Sequence, residues 1–337
     1  MIPTAGLYAR NAAAPASFLT ALLTVVPALT AQTAGETFTQ VIAGTEVSIE
    51  MAFVPAGLSV LGSPDTEAGR DDDEGPLRRV SMDAFWMGVH EVTYEAYSIF
   101  MYRELDDHVG TNGHVTFDAD AVSRPSPAYE DPAHGMGHVG HPMVGMSRVA
   151  AMEFARWLSQ KSGRLYRLPT EAEWERACRG GGQGAYAFGD DMAELDAHAW
   201  YAGNSGDEYH EVGLKAPNAW GFHDMHGNVA EWTMDRYDLH FYDRIPQDGT
   251  AANPRTEEST VGLGVVRGGA FDDDAAGLRC ADRFRETTAW KRRDPQMPKS
   301  RWWNTDSPHV GFRLLSPAGD HTMEEIHAYW ENVLGTR

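Results

Sequence analysis

Pro217-Asn218-Ala219-Trp220-Gly221-Phe222-His223-Asp224-Met225-His226-Gly227-Asn228-Val229-Ala230-Glu231-Trp232 is the stretch from which the fold is read. It sits in a longer span, residues 184–235, where short elements and tight turns dominate and no apolar period persists. The whole chain shares that character. Its 337 residues include 34 Gly, 18 Pro and 10 Trp, a composition that argues against a helical bundle or coiled coil. An α+β class follows, low in regular secondary structure, with turns and aromatic residues organising the core.

Outward from that stretch, a few elements are legible. Residues 80–92 read as a strand with Phe85 and Met87 on one face, and residues 91–105 as a helix. Ser147 reads as an N-cap, with Val149, Met152, Phe154, Trp157 and Leu158 at helical spacing until Gly163. Thr170-Glu171-Ala172-Glu173 is a capping box, and its helix ends after Cys178 at Gly180-Gly181-Gly182. Residues 262–271 read as a strand broken at Gly268-Gly269, and residues 309–315 as another. Thr322 and Glu325 form a second capping box for an amphipathic C-terminal helix over 321–337, carrying Ile326, Tyr329, Trp330, Val333 and Leu334.

Charge excludes some functions. With 28 Lys+Arg against 49 Asp+Glu the net charge is −21, which repels phosphate backbones and anionic lipid surfaces, so no nucleic-acid role is expected. Residues 1–34 read as a secretory signal peptide or an uncleaved membrane anchor: Arg10 is the single charge in residues 1–31, and residues 18–26 are largely apolar. The expected location is therefore periplasmic or extracellular, with membrane contact only through residues 1–31 where these are retained. Residues 35–47 read as a linker and residues 48–320 as one domain. In such a compartment the chain's two cysteines, Cys178 and Cys280, are either one disulfide or two unrelated buried thiols.

Four ordered segments carry a family resemblance. They are residues 86–93 (WMGVHEVT), 166–175 (YRLPTEAEWE), the stretch 217–232, and Val266-Arg267-Gly268-Gly269-Ala270-Phe271 with Gly311-Phe312-Arg313 closing. Together they resemble the formylglycine-generating enzyme, or sulfatase-modifying factor, family over about residues 48–316. The resemblance implies a single α+β domain related to C-type lectins. It implies a Cys178–Cys280 disulfide. It also implies a calcium site in which Asp224 and Glu231 supply carboxylates and Gly227 and Val229 supply carbonyls, hard oxygens of the kind calcium takes. The alternative from the residues alone is a tight turn in which Asp224 and Glu231 cap backbone amides. A second family calcium site would fall near Asn204 to Asp207, in a loop of different length.

The catalytic positions do not follow the family. Its enzymes hold copper(I) through two thiolates just beyond the Gly-Gly motif, as a soft ion requires. Here Ala270 stands where a serine is usual, and residues 270–279 contain no sulfur, so no copper is expected. Asp272, Asp273, Trp302 and Trp303 are the candidate ligand or partner contacts, the two tryptophans being core residues in the other reading. The acidic run Asp71 to Glu74 reads as a solvated loop or a calcium loop, and His134, His138 and His141 as loop histidines or metal ligands. The expected function is an exported, calcium- and disulfide-braced binding or structural module for a protein or glycan. As an accessory subunit on the outer face of a membrane complex, it would contact its partner through irregular loops and the C-terminal helix. The alternative is a periplasmic oxidoreductase using non-thiol chemistry.

Overall fold

The computed structural model describes residues 32–106, 124–126, 128–256 and 262–335. The segment expected as signal or anchor lies outside the described residues up to position 31; among those described, no helix is long and apolar enough to cross a membrane.

The elements are short and ordered along the chain as follows: β1 (Thr37–Val41), β2 (Ser48–Val54), β3 (Gly57–Leu61), β4 (Arg78–Met82), β5 (Phe85–Gly88), α1 (Tyr94–Met101), α2 (Arg148–Ser162), α3 (Glu171–Arg179), α4 (Leu195–His198), β6 (Ala230–Arg236), α5 (Phe241–Arg244), β7 (Gly264–Arg267), β8 (Phe284–Arg285), β9 (Val310–Gly311), β10 (Leu315–Pro317) and α6 (Met323–Leu334). They build a sheet of order β1-β2-β5-β10, a β3-β4 hairpin, and a second sheet of order β8-β7-β6-β9. The fold is α+β, as the sequence indicates.

The helix starts and stops follow their capping residues. Ser147 and Thr170 each accept the amide three residues on, and Gly163 and Gly180 close α2 and α3 in the left-handed conformation. Four expectations are corrected. Residues 35–47 are not a plain linker: β1 lies there, pairing antiparallel with β2 from Thr37↔Ala52 to Val41↔Ser48. The strand read over 80–92 is two strands, β4 and β5, in different sheets. The acidic run is solvated only in its first half: Asp71 and Asp72 are exposed, but Asp73 and Glu74 are buried under Tyr237 and Arg279. And α6 packs on its own domain, the usual place for a terminal amphipathic helix, and not on a partner: Ile326, Trp330 and Val333 are buried in the main core, where Trp330 Nε1 donates to Ser159 Oγ on α2 (3.3 Å).

All nine residues of α3 are buried, including three glutamates. Burying a charge is tolerated only when it is paired and hydrogen-bonded. Arg167 therefore clasps Glu173 with two bonds of 2.7 Å, Arg267 bridges Glu171 and Glu175 at 3.0 Å each, and Arg283 reaches Glu171 at 2.6 Å. Arg167 belongs to the same 166–175 motif as its partner Glu173, whereas Arg267 adjoins Gly268 and Arg283 follows the Gly-Gly loop, so the last two tie that loop's flanks to α3 through charge.

Candidate functional site

Two neighbouring regions carry the site. The first is the turn of the 217–232 stretch as it enters β6. Asp224 and Asn228 both take positive φ, 56° and 60°, and Gly227 (φ 81°) passes under the Trp200 carbonyl, where a Cβ would lie 1.9 Å from the oxygen. That close approach requires glycine. The turn delivers Asp224 and Glu231 into the interior, where Glu91 from the β5–α1 connection and Arg313 from the loop after β9 meet them.

The hydrogen bonds are specific. Arg313 holds Glu231 through Nη2–Oε1 and Nε–Oε2, both 2.6 Å, and Trp174 Nε1 donates to the same Oε2 at 2.7 Å. Asp224 accepts the Gly213 amide at 2.6 Å, and Glu91 Oε1 accepts from Asn228 Nδ2 at 3.1 Å. Glu91 Oε2 is buried with no hydrogen-bond partner. Three enclosed carboxylates thus face one guanidinium. Burial pushes the Glu91 carboxyl well above its usual range, and the Asp224 charge adds to it; burial likewise raises Asp224. The rings of His90 and His223 lie 4.9 Å apart, tilted at 32°, and burial, followed by the charge of His223, lowers His90 to about 4.

These residues fit a hard cation in their donor chemistry. All the side-chain donors are oxygens, one of them is orphaned, and the local charge is negative. Glu231 Oε1 accepts one bond and keeps an acceptor position, since each carboxylate oxygen has two. Glu91 was missed from the sequence as part of this cluster, although it lies within a quoted motif.

The second region is the loop after Gly268-Gly269. Gly269 (φ 66°) turns where a Cβ would meet the Gly277 carbonyl at 2.5 Å. Asp273 folds its carboxylate back onto the Ala270 amide (2.9 Å), and its own carbonyl accepts the Ala202 amide, while Ser205 Oγ donates to the Phe271 carbonyl at 2.8 Å. Asp272, Asp273 and Asp274 are exposed as residues, while the Asp273 carboxyl, folded back against the loop, is desolvated enough to be raised. His309, lowered by burial, feels the charges of Asp272 and Asp273.

Cys178 and Cys280 form a disulfide with an S–S distance of 2.00 Å. His226 lies beside it with Nδ1 on the Leu278 carbonyl (2.8 Å) and Nε2 on the Ala187 amide (3.0 Å), sealed in and lowered to about 4 by burial. Trp302 and Trp303 are not surface contacts. Each is 3 % exposed, because residues 302–304 pair with residues 145–147 and both indoles turn inward; Trp303 Nε1 donates to the Ser126 carbonyl at 2.8 Å. Trp290 is buried too, edge-on to Trp232 at 5.5 Å.

The remaining candidates stay dispersed. His138 pairs with Asp131 at 2.9 Å and stacks on Tyr94, while His141 bonds the Val139 carbonyl, so among the described residues the loop histidines form no metal grouping. Asn204 spends its amide on a turn, accepting from Tyr201 N and donating to the Ala199 carbonyl. Asp71, Glu74 and Asp282 do lie close together, yet Arg279 occupies both Glu74 oxygens at 2.6 Å.

Comparison with known proteins gives the family and the fold. The chain is 30 % identical over 240 residues to the serine/threonine-protein kinase pkn1 of Chlamydia caviae, covering 70 % of this chain and 35 % of that protein. The chain therefore spans about a third of the length of that relative. It is 28 % identical over 261 residues to the formylglycine-generating enzyme of Thermomonospora curvata, covering 67 % of this chain and 84 % of the enzyme. The structure of PvdO from Pseudomonas aeruginosa superposes with a TM-score of 0.60 at 30 % identity, covering 85 % of this chain and all of that one (100 %). Treponema denticola variable protein 1 shares the fold, with a TM-score of 0.58 at 24 % identity over 83 % of this chain and 99 % of that one. The family model described as the sulfatase-modifying factor enzyme 1-like domain matches residues 39–316, and the chain belongs to that family.

Proposed function

We propose that this chain is an exported binding module built on the sulfatase-modifying factor fold, without the family's copper oxidase chemistry. The observation that carries the reading is the loop after Gly268-Gly269, which offers carboxylates from Asp272 to Asp274 where the oxidases offer thiolates, while both cysteines of the chain are joined to each other. Soft copper(I) has no sulfur pair to bind while that bridge stands. Surface contacts to a protein or glycan partner fall to Asp272, Asp273 and the loops around them. An accessory subunit on the outer face of a membrane complex is the form this role takes if residues 1–31 are retained.

Calcium is the metal proposed for the interior cluster, held by Asp224 and Glu231 with the Gly227 and Val229 carbonyls, and with Glu91 adding charge. Its part would be structural, neutralising carboxylates that otherwise need protons.

A second reading, an oxidoreductase of non-thiol chemistry, has His309 within reach of the Asp272 and Asp273 charges in its favour. One experiment separates the two. The full chain is isolated from its native compartment, its metals are measured, and it is incubated with copper(I) and a sulfatase-derived cysteine peptide. Calcium near one equivalent and an unaltered peptide are expected. Stoichiometric copper with formylglycine in the peptide overturns the binding reading, and stoichiometric iron or zinc transfers support to the second.

A further inference from the structure

Residues 283–301 concentrate positive charge in an acidic protein. They hold seven of the chain's 28 Lys+Arg against two acids, Glu286 and Asp294. Part of this segment borders a cavity of about 520 Å³ lined by Leu263, Thr287, Thr288, Lys291, Arg292 and Lys299 together with Glu286 and Ala289. That volume lies within the range of small-molecule sites, roughly 300–1,000 Å³.

The two acids accept backbone amides, and their charges still act on Lys291, which leaves the lining with three cations against the one carboxylate of Glu286. Glu286 Oε2 accepts the Gly264 amide at 3.0 Å, and Asp294 accepts the amides of Gln296 and Ser300. None of the three lining cations is in an ion pair among the described residues. Lys291 donates to the Ser300 carbonyl at 3.0 Å, and Lys299 to the carbonyls of Arg292 and Asp294. An ammonium has three protons, so each retains at least one. Arg292 is exposed and makes no side-chain bond among the described residues. Thr287 is the N-cap of a short helical turn, yet its hydroxyl caps nothing. Burial lowers Lys291, so an arriving anion would relieve a desolvated ammonium.

We propose that this cavity binds a small ligand through a tetrahedral oxyanion, the sulfate or phosphate group of a monoester or of the free ion. Two ammoniums, a guanidinium and two hydroxyls are more donors than a carboxylate takes, and they suit a group with three unesterified oxygens. The net negative charge of the chain disfavours anions over most of its surface, so a locally positive recess is where one would be held. The site is separate from the Gly-Gly loop and stands whether or not that loop engages a partner.

The test is calorimetric titration of the full chain at low ionic strength with inorganic sulfate, inorganic phosphate, glucose 6-sulfate, glucose 6-phosphate and acetate. Saturable one-site binding of at least one tetrahedral oxyanion is expected, at least tenfold tighter than acetate. Tighter binding of the sugar esters identifies an ester ligand, and tighter binding of the inorganic ions identifies a free anion; both fit the proposal. Lys291→Gln with Lys299→Gln is expected to weaken binding at least tenfold. Thr287→Val, which leaves the charge intact, should weaken it about threefold, and Arg79→Gln on another surface should leave it unchanged. Absence of saturable binding, acetate binding as well as the others, or an equal loss in the Arg79 variant overturns the proposal.

Discussion

Arg313 grips Glu231 with two parallel hydrogen bonds of 2.6 Å, and neither side chain has any exposed surface. The pair joins the loop after β9 to β6, and Nη1 of the same guanidinium donates to the carbonyls of Gly88 and Val89 at 3.0 and 3.2 Å. One side chain thus ties the first sheet's β5 to the second sheet's β6 at the floor of the acid cluster.

Removing the cation leaves three enclosed carboxylates with no partner of opposite sign. Breaking a buried pair from one side costs about 3–5 kcal/mol. Arg313→Met is expected to lose that much in a urea titration. Arg313→Lys, which keeps the charge but not the fork, should lose less. A loss below about 1 kcal/mol for Arg313→Met would show that the cluster is not held by this pair.

The pH dependence of the same cluster has a definite sign. Glu91 is raised by burial and then by Asp224, so the folded protein binds a proton that the unfolded chain has released. Its contribution is intact below the ordinary glutamate range, around pH 4, and is lost as pH rises through that range toward the raised folded value. Asp235 and Asp282, both pushed up to about 7 by burial, act in the same direction. Glu91→Gln retains them and removes only its own share. In chelator, the wild-type denaturation midpoint should therefore fall relative to Glu91→Gln between pH 5 and 8, and added calcium should narrow the gap. Parallel curves for the two proteins would remove Glu91 from this account.

The Cys178–Cys280 bridge spans 102 residues and fastens α3 to the segment that follows the Gly-Gly loop. On the chain-entropy model a loop of this length is worth about 4–5 kcal/mol, and measured values for native bridges run about 2–5. Cys178→Ala with Cys280→Ala should lower stability by that amount in guanidinium. Oxyanion binding should persist under conditions where the variant remains folded. Thiol titration of the native chain should find nothing until a reductant is added.

What the sequence disclosed was local. The caps at Ser147, Thr170 and Thr322 and the stops at Gly163 and Gly180 depend on neighbours within a few residues, and each forms as its pattern indicates. Partners far along the chain were not legible. Glu74 looks like part of a solvated acidic run because its partner Arg279 lies 205 residues away. Trp302 and Trp303 carry no sign of which way they face until residues 145–147 pair beside them. Glu91 stands in an apolar motif, yet only the fold shows that it meets Asp224 and Glu231. The motifs identified the family, and the charges inside them form the lattice that holds it together.

Gly227 provides the sharpest local test. Its φ of 81° disfavours any side chain, and the Trp200 carbonyl, with which the turn forms a parallel bridge, occupies the space a Cβ would need. The obstacle is backbone, so it cannot swing aside as a flexible side chain would. Left-handed strain alone costs an alanine about 1–3 kcal/mol, and the clash adds to it by displacing the 200–210 loop. Gly206 shares the left-handed conformation (φ 71°) but has open space where its Cβ would go, so it reports strain without the clash. Gly206→Ala should thus cost about 1 kcal/mol. Gly227→Ala should cost several times more and, at concentrations where the wild type is saturated, abolish calcium binding. Equal costs for the two substitutions would show that the Trp200 carbonyl yields readily and that the turn is not the rigid frame of the acid cluster.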